Sequence, residues 1–114
     1  MSERLFHLVD PAQWAAAQDD GTYRPVSLDS EGFIHLSFAG QVSGSANRHY
    51  RDASDLVVVE VDPDRLDSSL RVEDTYGGGT AFPHLYGPMP TQAVVAVHPL
   101  ARDADGQWLF SPGC

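Results

Sequence analysis

Leu56-Val57-Val58-Val59-Glu60-Val61 is the most apolar run in the chain and reads as the central strand of a sheet. Alternation alone puts Glu60 on a solvent face of that strand. The turn Asp62-Pro63-Asp64-Arg65 leads away from it, and a short strand follows over 70–73, ending at Glu73. Beyond lies the only glycine tract, Tyr76-Gly77-Gly78-Gly79-Thr80, expected as a flexible loop. An extended piece over 82–86 comes next, stopped by Gly87-Pro88-Met89-Pro90. Residues 93–100, the turn Asp103-Ala104-Asp105-Gly106 and residues 107–110 read as a closing hairpin.

On the N-terminal side, residues 4–9 alternate with a strand's period. Leu5, His7 and Val9 share one face, Phe6 and Leu8 the other. Asp10-Pro11-Ala12-Gln13 opens a helix with Asp10 as N-cap, Pro11 in the first turn and Gln13 closing a capping box. The helix is expected to reach about Gln18, with Gly21 as its stop. Residues 22–30 read as irregular or weakly extended, and 33–36 as a second strand. Ser37 then caps a second helix over 38–49, in which Val42, Ala46 and Tyr50 recur at four-residue spacing. Gly40 and Gly44 weaken that helix by about 1 kcal/mol each, so it depends on packing. The expected fold is a single α+β domain over 1–114, with two early helices and strands mostly late.

Composition narrows the function. The chain of 114 residues has 42% hydrophobic residues and a net charge of −9, enough for one packed core and a soluble, by default cytoplasmic, protein. Seven arginines, no lysine and no basic cluster argue against nucleic-acid binding, although one arginine can still hold a small anion. No membrane span or signal peptide is expected from the start of the chain. The single cysteine, Cys114, excludes a disulfide framework and multi-cysteine metal motifs, and is a poor nucleophile at a terminus.

The candidate chemistry lies in two runs, Gly32-Phe33-Ile34-His35-Leu36-Ser37 and Phe82-Pro83-His84-Leu85-Tyr86-Gly87-Pro88. His7 and His35 stand opposite their large apolar neighbours. If their strands are adjacent, the rings can come within roughly 5 Å of each other; the simpler alternative is that each satisfies a backbone carbonyl. His84 and Tyr86 point the same way from a proline-stiffened segment beside the glycine tract, a rigid polar platform next to a loop. Glu73 ends its strand at that loop and is the carboxylate best placed for a cleft. His49 reads as solvent-facing and His98 as structural. The glycine tract lacks the Lys-Ser/Thr of a phosphate-binding loop, and neither Ser37 nor Ser43 sits in a nucleophile elbow. Metal binding by His7, His35, His84 and Glu73 stays open as an alternative, although their spacing matches no local ligand motif and no metal is expected.

The strand bearing His7, the Gly-Phe-Ile-His-Leu-Ser run and the Phe-Pro-His-Leu-Tyr-Gly-Pro run, in that order, resemble the domain of unknown function 952 family over essentially the whole chain. The resemblance implies a fold similar to the ADP-ribosyltransferase superfamily, with split antiparallel sheets around a nicotinamide dinucleotide cleft. By that pattern His7 holds a ribose of NAD, and His35 and Ser37 line the cleft. Phe82 or Tyr86 stacks on nicotinamide, His84 joins the ligand contacts, and Glu73 with His35 carries any catalysis. The expected function is therefore binding of a small NAD- or ADP-ribose-type nucleotide, with ADP-ribosyl transfer or NAD glycohydrolysis as the associated chemistry. A non-catalytic ligand-binding or interaction module remains the alternative. The chain departs from the transferase pattern in lacking a Glu-x-Glu or Gln-x-Glu motif, and its acidic balance argues against a phosphorylated RNA substrate.

Overall fold

The valine-rich run forms β4 (Val57–Val61), the middle strand of an antiparallel sheet flanked by β1 (Leu5–Val9) and β8 (Val94–Pro99). The computed structural model describes residues 3–74 and 77–110; Tyr76 of the glycine tract and Cys114 lie outside the described residues. Leu5 pairs with Val61 and Val9 with Val57, so the whole length of β1 is held by the central strand. All of β1 is buried, because both faces of this strand are covered.

Alternation divides the interior into two cores. Leu5, Val9, Val59 and Val61 enter one with Trp14, Ile34, Leu36, Leu85 and Met89. Phe6, Leu8 and Val58 enter the other with Val42, Ala46, Trp108 and Phe110. The first core is closed by α1 (Pro11–Asp20) and by a second antiparallel sheet, in which β6 (Phe82–Tyr86) lies between β3 (Ile34–His35) and β5 (Ser69–Glu73). The second core is closed by α3 (Val42–His49) and the small hairpin of β9 (Ala101–Arg102) with β10 (Trp108–Leu109). Reciprocal bonds stitch the two main sheets together: Phe6 N donates to Ser37 O at 2.8 Å and Ser37 N to Phe6 O at 2.7 Å.

Local signals held where they were strong. Asp10 caps α1 by accepting from the Ala12 and Gln13 amides at 2.8 and 3.3 Å, and Gly21 ends it at φ 85°. The helix reaches Asp20 rather than Gln18. Residues 22–30 are not irregular. They form β2 (Thr22–Tyr23), paired with β7 (Met89–Pro90), and the short α2 (Val26–Ser30). The described residues therefore hold three α-helices instead of two. The helix expected over 38–49 splits into a tight turn, Ala39–Gln41, and α3. Ser37 does not cap it: the turn starts from Phe38, whose amide donates to the Gln41 side chain at 3.0 Å, and the Ser37 backbone pairs with Phe6. Residues 94–99 join β4 rather than forming the first arm of the closing hairpin, which is confined to β9 and β10.

The glycine tract, expected to be a flexible loop, is tied at its described end. Positive φ at Gly77 and Gly79 brings successive amides together, and both Asp74 carboxylate oxygens accept from them, Oδ1 from Gly78 at 3.0 Å and Oδ2 from Gly79 at 2.9 Å. A tighter constraint lies just past β6. A Cβ at Gly87 would stand 2.0 Å from Ser68 Oγ and 2.6 Å from Ser68 Cβ. Gly87→Ala is expected to destabilise the fold by about 2 kcal/mol through this overlap. Adding Ser68→Gly should restore most of the loss in urea unfolding; an unchanged midpoint in the single variant would show that the two segments part at no cost.

Candidate functional site

Where β1, β3, β6 and the end of α3 meet, they enclose a cavity of about 650 Å³. β1 supplies His7 and Leu8, and β3 with the residues after it supplies His35, Leu36 and Ser37. β6 supplies Phe82 and His84; Ser45, Arg48, His49 and Tyr50 come from α3 and its end, and Glu31 from the end of α2. A second cavity of about 740 Å³ shares His7, Leu8, His35 and Tyr50 as lining residues and continues past Tyr23 and Arg24.

Strand alternation builds the support under His84. Residues 82, 84 and 86 of β6 share a face with 71 and 73 of β5, and the register pairs Arg71 with His84 and Glu73 with Phe82. His84 is buried; its Nδ1–H donates to Glu73 Oε1 at 3.2 Å, and the Tyr86 hydroxyl donates to the same oxygen at 2.5 Å. The Phe33 ring stacks on His84 at 4.1 Å between centroids and 17° between planes. Arg71 lies 5.2 Å over the Tyr86 ring. The Tyr86 hydrogen bond is the main influence holding the Glu73 carboxyl below its ordinary range, assisted by His84 and Arg71 against desolvation. The same bond, followed by desolvation, raises Tyr86.

Glu73 and Tyr86 were expected in the cleft, but neither lines the cavity, nor do Gly77 to Gly79. They stand behind His84. A carboxylate accepting from Nδ1 fixes which ring nitrogen carries the hydrogen and how the imidazole is turned. Glu73 therefore acts on His84.

His7 faces inward with Leu5 and Val9. β1 pairs with β4, not with β3, and the His7 ring reaches the backbone of His35 rather than its imidazole. Its Nδ1 lies 2.6 Å from His35 O and its Nε2 2.8 Å from Tyr23 Oη. A carbonyl only accepts, so Nδ1 carries the hydrogen and, in the neutral ring, Nε2 accepts from the tyrosine hydroxyl. Burial lowers His7 to about 4, more than the carbonyl raises it, and the nearby His35 adds to the lowering. His7 is thus a neutral bolt joining three segments at the wall common to both cavities. The ribose contact expected of it finds both ring nitrogens already engaged.

His35 and Ser37 line the cavity as expected, and Phe82 and His84 close its other side. His35 Nε2 donates to Glu31 Oε2 at 2.9 Å, and its ring meets Phe33 edge-on at 4.8 Å and His84 at 5.3 Å. Sequence reasoning missed Glu31, Ser45, Arg48, His49, Tyr50 and the stacking role of Phe33. The spacing of Glu31 and His35, four residues apart, was the available signal, obscured by the turn at Gly32, φ 87°. His49, read as solvent-facing, is exposed yet borders the cavity. Desolvation, then the Arg48 and His35 charges, lower it. His98 donates to Glu60 at 2.8 Å, and neither lines either cavity. Among the described residues no three His, Cys, Asp or Glu side chains converge as a metal site. Nor is any helix there long and apolar enough to cross a membrane.

The model of a family described as "Protein of unknown function (DUF952)" matches residues 8–97. Protein CC0527 from Caulobacter crescentus has a similar crystal structure, 31% identical, with a TM-score of 0.81 and 93% of each chain covered. Its solution structure gives a TM-score of 0.70 at 31% identity, covering 91% of this chain and 90% of that one. No curated protein matches.

Proposed function

The chain belongs to the DUF952 family of proteins of unknown function, and from its cleft we propose that it binds a small nucleotide of the NAD or ADP-ribose class. The observation that carries this reading is the pair of cavities, about 650 and 740 Å³, meeting at His7, Leu8, His35 and Tyr50. Each is of the size that takes a small organic ligand, and their shared wall suits a ligand of two linked halves. Phe82 and Tyr50 offer flat surfaces to a base. Arg48 in the first cavity offers a phosphate local positive charge despite the net charge of −9, whereas Arg24 in the second stands among Asp10, Asp20 and Asp55. The fold similar to the ADP-ribosyltransferase superfamily that the sequence resemblance implies favours the same ligand class.

Binding is better supported than bond cleavage. Glu73, the carboxylate expected to stabilise charge at a ribose as its glycosidic bond breaks, faces His84 instead. ADP-ribosyl transfer and NAD glycohydrolysis therefore stand behind ligand recognition. A ligand at a hundred times its Kd stabilises the native state by about 2.7 kcal/mol, or a Tm rise on the order of 10 °C for a domain of this size. NAD, ADP-ribose or AMP is expected to give such a shift without nicotinamide release from NAD, and His35→Ala to abolish it. No shift across the three at millimolar concentration would overturn the reading.

A further inference from the structure

We propose that the outer edge of β5 pairs with β5 of a second copy of this chain, in the antiparallel register that sets Val72 opposite Val72 and Arg71 opposite Glu73. Phe6 and Ser37 bridge the two main sheets at their inner edges, so β8 and β5 are the outer strands, each paired with one neighbour only among the described residues. An unpaired strand edge is a template for another strand. β8 is blunted by the register shift in its pairing at Glu60/Val61 and by Pro99 at its end. β5 runs in unbroken register along β6 from Ser69 to Glu73, contains no proline, and is exposed over its first four residues. Leu70 and Val72 put apolar surface at that edge.

The charges on the strand choose its occupant. In antiparallel pairing Ser69-Leu70-Arg71-Val72-Glu73 is complementary to itself about Val72: each Arg71 faces the Glu73 of the other copy, and opposite charges so placed attract. Residues facing each other across such a pair lie on the same side of the sheet, so the next registers centre on Arg71 or on Glu73, and each sets like charges opposite one another. Arg71 and Glu73 also cancel, which keeps the edge locally neutral in a chain of net charge −9. His84 and Tyr86 both donate to Oε1 of Glu73, leaving Oε2 for Arg71 of the second copy. The pairing thereby joins the support beneath His84 in one cleft to the same support in the other. A ladder this short falls below the roughly 1,000 Å² of a stable interface, so the dimer is expected to be weak.

The test is sedimentation equilibrium from micromolar to millimolar protein, over which the mass is expected to rise from 12.4 kDa toward twice that value. Val72→Lys and Arg71→Glu, both at exposed positions, should each weaken association by at least about 10-fold. Arg71→Glu mixed with Glu73→Arg should associate again, since every carboxylate then faces a guanidinium. Circular dichroism melts confirm that each variant is folded. A cross-link reads the register without touching Glu73. In a Cys114→Ser chain, Val72→Cys should oxidise to a disulfide-linked dimer, whereas Leu70→Cys should not, because its two copies stand beyond the roughly 7 Å that a disulfide spans between Cα atoms. A mass that stays at 12.4 kDa at millimolar concentration overturns the proposal. So does a dimer indifferent to Arg71→Glu, or one that cross-links through Val95→Cys of β8 and not through Val72→Cys.

Discussion

Unfolding in urea is expected to require about 3 kcal/mol less at pH 4 than at pH 7 on account of His7 alone. In the unfolded chain this imidazole has its ordinary value near 6.5, whereas in the fold burial lowers it to about 4. Below pH 6.5 the unfolded chain carries a proton that the folded one does not, so the contribution is intact above 6.5 and is lost as pH falls toward 4. Each pH unit in that window costs about 1.4 kcal/mol. The physical obstacle is specific: protonated Nε2 could no longer accept from Tyr23, and the charge would sit in a buried position. Carboxylates such as Glu73 also take up protons on acidification. The comparison is therefore with His7→Gln, in which the loss between pH 7 and pH 4 should be smaller by about 3 kcal/mol. That variant should be weaker at pH 7 by roughly 1–3 kcal/mol, because the Tyr23 hydroxyl and the His35 carbonyl lose well-formed partners. The isoelectric point near 4.6 falls inside the window, so the experiment calls for dilute protein. Parallel pH profiles for the two proteins would remove His7 from the acid sensitivity of the fold.

What could be read from the sequence follows from the range of the forces involved. Residues 56–61 as a central strand and Asp10-Pro11 as a helix start are local statements, and both stand. β2 is two residues long and exists because Thr22 pairs with Pro90 and Tyr23 with Met89, partners far along the chain that no window of periodicity contains. Alternation put Glu73, His84 and Tyr86 on related faces, and they do meet. It could not say that the cavity opens on the other side of His84, because that depends on where α3 packs. The Arg48-His49-Tyr50 face looked like a solvated helix end for the same reason. Exposed residues at the mouth of a cavity and exposed residues on open surface have the same pattern. His7 is the most instructive case. The plain alternative, a ring satisfying a backbone carbonyl, is what the structure holds, and the Tyr23 hydroxyl completes the arrangement.

Leu85→Ala is expected to have the largest effect of any conservative core truncation near the site, about 3–4 kcal/mol. Leu85 is fully buried in the middle strand of the second sheet, paired with Ile34 on one side and Leu70 on the other, and packs in the first core with Leu36 and Met89. Its removal leaves a void bounded by strands from both sheets, which cannot collapse without shifting β3 against β6. A domain of this size has roughly 5–15 kcal/mol in hand, so the variant should fold at 25 °C with a Tm lower by about 15 °C. Val72→Ala on neighbouring β5, where the side chain is 56% exposed, should cost less than about 0.5 kcal/mol and controls for strand propensity. The site should register the same change. Leu85 adjoins His84, and the β3–β6 register that seats Leu85 against Ile34 also seats His35 against His84. Folded Leu85→Ala should therefore bind AMP more weakly, by about 10-fold, since small displacements of a contact group are costly in affinity. A loss of stability under 1 kcal/mol would show that the sheets close over the void. Undiminished affinity in a destabilised variant would show that the cleft is held by α3 and Glu31 rather than by the β3–β6 pairing.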